Sequence, residues 1–107
     1  MPNKVLEAFA AAGRDPWAAR DGNVLLEKLR SIVHSFIASD RRLVIEALRT
    51  WLKSSDEPSV VHAAILVKEF RIRELSHALT EARQTLDEKG SKSVWMLDEA
   101  IDLIQNS

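Results

Sequence analysis

The sequence contains no cysteine. Disulfides, thiolate zinc sites and cysteine nucleophiles are therefore excluded. Glycine and proline are scarce, with three of each in 107 residues. Between Asn23 and Lys89 there is no glycine, and Pro58 is the one proline. Hairpin-rich β architectures lack their turn residues there, and Gly13, Gly22 and Gly90 stand too far apart to form a phosphate-binding loop. No Gly-x-Ser-x-Gly nucleophile elbow is present. Charge of one sign is also missing. Fifteen basic and 16 acidic side chains leave a formal net charge of -1, so no global basic field draws the chain to nucleic acid or to an anionic membrane. The longest apolar stretch, Val60 to Val67, is interrupted by His62 and falls far short of the roughly 20 residues of a membrane span. Val5 to Ala12 contains Glu7 and is short and charged for a signal-peptide core. With the start at Met1, these absences lead us to expect a cytoplasmic protein that does not enter a membrane.

What is present is helical. Apolar residues make up 46% and charged residues 29%, a composition too apolar for a disordered chain. We expect one all-α domain over residues 1–107, with five to six helices. Met1 to Ala12 is the first candidate, closed by Gly13 in the left-handed conformation. Asp15-Pro16-Trp17 reads as N-cap, first helical position and apolar anchor. Asn23 to Ala38 carries a strong stripe through Leu25, Leu29, Ile32, Val33 and Phe36. Ser39 or Asp40 caps a helix over Arg41 to Lys53, with Val44, Ala47, Leu48 and Trp51 directed to the core. Ser54 to Pro58 is the clearest turn, and Asp56 is placed to cap a helix over Pro58 to Phe70. Ile72, Leu75, Leu79, Ala82 and Leu86 form a second stripe whose backward extension lands on Lys68. The spacing therefore predicts a break between Lys68 and Arg73, followed by a helix over Arg73 to Lys89. Ser93 caps a last helix with Val94, Leu97, Ile101 and Ile104 on one side.

Alternate helix starts recur at 32 to 35 residues, the spacing of stacked helical hairpins. The segment Leu48-x3-Leu52-x3-Asp56-x-Pro58-x-Val60, followed by Ala63, Ala64 and Leu66, resembles a HEAT repeat. Val61 stands where that family often has arginine. The resemblance covers about residues 43–75. It implies antiparallel hairpins, Arg41–Lys53 with Pro58–Phe70 and Arg73–Lys89 with Ser93–Ile104, and a surface used for binding other proteins. An irregular helical bundle is the alternative architecture. Homo-oligomerisation is one way to cover the end of so short a stack.

Candidate chemistry is thin. Glu74-Leu75-Ser76-His77 has the Glu-x-x-His spacing of di-iron bundles, which need a second such pair, and this sequence has none. We expect no metal, no cofactor and no catalytic residue. Arg41, Arg42, Arg49 and Lys53 share a helix, but Glu46 sits among them and can pair at i+3 and i+4. The C-terminal fifth is acidic. There, Trp95 opens a helix that carries Asp98, Glu99 and Asp102. A tryptophan beside carboxylates can anchor a basic protein partner. The expectation is a non-catalytic protein–protein interaction module, bound through Trp95, Asp98, Glu99 and Asp102. Its most specific form is an immunity-type inhibitor that blocks a basic, nuclease-like toxin. A small DNA- or RNA-binding regulator using the Arg41–Lys53 helix is the alternative.

Overall fold

Short polar side chains, Asn3, Asp15, Asp21 and Asp56, cap the starts of four helices of this protein. The computed structural model describes residues 3–106. Seven α-helices run through them: α1 Lys4–Gly13, α2 Pro16–Arg20, α3 Gly22–Phe36, α4 Arg41–Leu52, α5 Glu57–Phe70, α6 Ser76–Glu88 and α7 Val94–Gln105. A single 3-10 turn, Arg73–Leu75, leads into α6. No strand occurs among the described residues. The protein is all-α, and no described helix is long and apolar enough to cross a membrane.

Asn3 caps α1, accepting from the N–H groups of Val5 (2.9 Å) and Leu6 (3.0 Å). Met1 and Pro2, included in the expected first helix, lie outside the described residues. Asp15 caps α2 through Trp17 N–H and Ala18 N–H, with Pro16 in the first turn as expected. Those two N–H groups, Trp17 first, hold the Asp15 carboxyl below its ordinary value, and Lys28 adds an ion pair at 3.4 Å. Asp21 caps α3, which starts one residue earlier than expected and ends at Phe36. Asp56 caps α5 through Ser59 N–H at 3.2 Å, and Pro58 sits in the first turn where no donor is needed.

Two expectations about helix ends need correction. Gly13 does not turn left-handed; it stays helical, and Arg14 closes α1 in the right-handed region. Ser93 precedes α7 but its hydroxyl makes no cap bond. Ser91 braces the turn before it: its Oγ accepts from Ser93 N–H at 3.0 Å and donates to Glu57.

The break between Lys68 and Arg73 is a helix stop with a defined hydrogen-bond pattern. Arg71 N–H donates to Lys68 O (3.3 Å) and Ile72 N–H to Val67 O (3.1 Å). This double bond is the Schellman motif, and it requires a left-handed residue, here Arg71 at φ 52°. The buried Val67 and Ile72 close it from the apolar side. The end of α6 repeats the pattern with Gly90 at φ 70°, where Gly90 N–H reaches Asp87 O and Ser91 N–H reaches Leu86 O. Glycine adopts that backbone freely, whereas an L-residue is strained in it by roughly 1–2 kcal/mol. Arg71→Gly is therefore expected to stabilise the protein by about 0.5 kcal/mol, the relief of strain less the extra freedom of the unfolded chain. Gly90→Ala is expected to destabilise it by about 1 kcal/mol, although a Cβ there would meet nothing within 4 Å. Urea denaturation of the two variants beside the parent checks both signs.

The chain forms two compact units, Met1–Ala47 and Leu48–Ser107, with the division inside α4. In the first, α1 and α2 both pack on α3. Val5, Phe9, Leu29 and Val33 have no exposed surface. In the second, α7 packs on both α5 and α6, which touch each other far less. All five residues of the Ile72–Leu86 stripe are buried there. Ala63, Ala64, Ala82 and Ala100 are buried too, and such small side chains let helix axes approach closely. Of the expected hairpins, the α6–α7 pair is present as a packed pair, while α5 has α7 as its principal neighbour.

Candidate functional site

The sequence of α7, Val-Trp-Met-Leu-Asp-Glu-Ala-Ile-Asp-Leu-Ile-Gln, divides into two faces. Leu97, Ala100 and Ile104 are buried, so the inward stripe is centred on Ala100. Val94 and Ile101, expected on that stripe, are only half-buried at its border. The opposite face carries Trp95, Asp98, Glu99 and Asp102, all exposed. Their offsets of three, four and seven residues from Trp95 place them along one side of the helix. The structure thus brings the four residues onto a common surface. Trp95 keeps 59% of its surface in water, and Trp17 is the other large apolar side chain exposed among the described residues.

That surface is not the bare acidic patch that the local sequence suggests. Arg83 Nε of α6 donates to Asp98 Oδ1 at 2.7 Å, and Arg83 Nη1 lies 3.9 Å from Asp87 Oδ2. The bond to Asp98 raises the Arg83 pKa further above its ordinary value. On the other flank, Lys68 Nζ of α5 lies 3.5 Å from Glu99 Oε2. Asp102 Oδ1 accepts from Asn106 Nδ2 at 2.7 Å and has no cation within pairing distance among the described residues. Three carboxylates and two cations leave one negative charge on this face. Exposed ion pairs of this kind are screened by water and add little to stability. The two pairs bridge α7 to α6 and to α5, while the buried Leu97, Ala100 and Ile104 set which side of the helix faces inward. Sequence reasoning missed Arg83 and Lys68, because their partners lie 15 and 31 positions away and no local spacing links them.

The other candidates come apart. His77 Nε2 pairs with Glu81 Oε1 at 2.8 Å on the exposed side of α6. Among the described residues no group of three or more histidines and carboxylates is arranged to hold a metal ion. Arg42 Nε lies 3.4 Å from Glu46 Oε1, the pairing expected within the basic helix.

His62 on α5 was unmarked by any motif. Its Nδ1 is buried and has no hydrogen-bond partner. Burial pushes the imidazole below its ordinary value of 6.5, opposed by the charge of Asp56. The unfolded chain therefore takes up this proton first on acidification. The contribution is complete above pH 6.5 and shrinks as the pH falls through 6.5 toward the lower folded-state value. In His62→Leu this part of the pH dependence should vanish. A series of urea midpoints above and below pH 6.5 for the two proteins reads it directly.

No protein-family model matches this chain, and no curated protein or solved structure matches it.

Proposed function

We propose that the protein is a non-catalytic binding module that engages another protein through the outward face of α7. The exposed Trp95 carries this reading. A large apolar ring left in water on an otherwise polar, ion-paired helix gains free energy only when a partner covers it. The carboxylates around it define the partner: a basic surface with an apolar socket for the indole. Asp98 and Glu99 already hold cations, so they supply directed acceptors at the rim, and Asp102 supplies the net charge. Charge of this kind steers encounter and rejects acidic partners more than it adds affinity.

The most specific form of this proposal is an immunity-type inhibitor that covers the basic active site of a nuclease toxin. The carboxylates on the outer face of α7 support it. A HEAT-like arrangement remains part of the proposal, supported by the Leu48–Leu66 pattern and by the α6–α7 pair.

Asp102→Lys tests the electrostatic half without breaking an ion pair. Tagged parent and variant are compared for capture of a basic protein from native lysate, and then for association rate with that protein over a range of salt. The variant should associate more slowly, and its rate should depend less on salt. Equal rates at every salt concentration would place the partner elsewhere on the molecule, and capture of further copies of the chain alone would replace the partner by a homo-oligomer.

A further inference from the structure

Each compact unit leaves one tryptophan in water: Trp17 in the first, 70% exposed, and Trp95 in the second. We propose that the Trp17 surface of one copy of this chain docks on the α7 face of a second copy. This rests on the reading of the α7 face as a docking surface, and it adds that the chain itself supplies a basic surface that fits there.

The Trp17 surface mirrors the α7 face in charge. Arg20 lies one helical turn after Trp17 on α2, and Arg14 precedes the cap of the same helix. Both arginines are exposed, and neither has a carboxylate within pairing distance among the described residues. The two carboxylates of this segment are engaged. Asp15 caps α2 and pairs with Lys28, and Asp21 caps α3 through Asn23 N–H at 2.9 Å. Arg14, Arg20 and Lys28 against Asp15 and Asp21 leave one positive charge around Trp17. The α7 face carries one negative charge around Trp95.

The same opposition runs through the whole units. Residues 1–47 hold seven basic and six acidic side chains, and residues 48–107 hold eight basic and ten acidic. The first unit is thus net +1 and the second net -2. Two α7 faces repel each other, as do two Trp17 surfaces, so the favoured contact joins unlike surfaces. Such a contact is heterologous, with a different patch on each copy. The two indoles give it an aromatic centre, and the charges around them select the pairing. Two aromatic anchors and single opposite charges make a weak, reversible contact, with a Kd on the order of 0.1 mM. Another protein that binds α7 more tightly would displace the second copy.

The test is sedimentation velocity of the full chain from about 10 µM to about 1 mM, at low salt and in about 1 M salt. The parent should associate as concentration rises, and less so in high salt. Trp17→Ala and Trp95→Ala should each weaken association roughly tenfold. An equimolar mixture of these two variants should recover it, because each supplies the surface that the other lacks. Arg14→Glu/Arg20→Glu should weaken association as Trp17→Ala does. The substituted side chains are exposed, and circular dichroism should show unchanged helicity in every variant. A parent that stays monomeric throughout overturns the proposal, while the reading of α7 as a docking face is judged separately by Asp102→Lys. Association that persists in either tryptophan variant also overturns it. A mixture no better than its components would mean that like surfaces pair, and the unlike contact falls.

Discussion

Leu97→Ala should lower the stability of the protein by about 3–5 kcal/mol, the largest effect expected of any single change to α7. Leu97 has no exposed surface and is the first buried residue of the inward face. That helix packs on α5 on one side and α6 on the other, so the side chain lies where neither neighbour can move in alone. Removing it forfeits the transfer free energy of three carbons and leaves a cavity. A small domain has a total of only about 5–15 kcal/mol to lose. Urea denaturation followed by circular dichroism should show the midpoint displaced far toward low denaturant. A loss below about 1 kcal/mol would mean that α7 is held by its surface ion pairs and not by its core face.

Trp95→Ala should do the opposite. Two positions earlier on the same helix, Trp95 is 59% exposed, so its truncation should change stability by less than about 0.5 kcal/mol. Affinity for the protein partner should fall by at least about 2 kcal/mol, or some 30-fold in Kd. Titration calorimetry with the captured partner reads the second quantity and urea denaturation the first. The two variants together separate the two faces of one helix. A Trp95→Ala protein that binds normally would remove the anchor from the proposal and leave only charge.

The elements most legible in the sequence were those written in local chemistry. Asp56 and Pro58 announced the start of α5 because an N-cap and a first-turn proline act on the next three residues and on nothing distant. The Ile72–Leu86 stripe announced the buried face of α6, and its phase exposed the stop between Lys68 and Arg73. The residue that makes that stop was invisible, since a left-handed arginine carries no compositional mark. Gly13 failed in the other direction. Glycine permits a left-handed turn but does not enforce one, and Gly13 is simply the last residue of the helix. At the candidate site the four α7 residues share a face because helical spacing alone decides it. Their ion pairs with Arg83 and Lys68 depend on which helices are neighbours, and that is settled by packing. His62 stood out in the sequence only as the interruption of an apolar run, and the surroundings of its Nδ1 are what set it apart.

The sharing of α7 by α5 and α6 has its own consequence. Each finds most of its packing on α7 and little on the other. Without Leu97, Ala100 and Ile104, the apolar sides of Val60–Val67 and Leu75–Leu86 lack the surface on which they chiefly close. Detachment of α7 alone would therefore expose both apolar sides at once, the state in which chaperones and proteases find their clients.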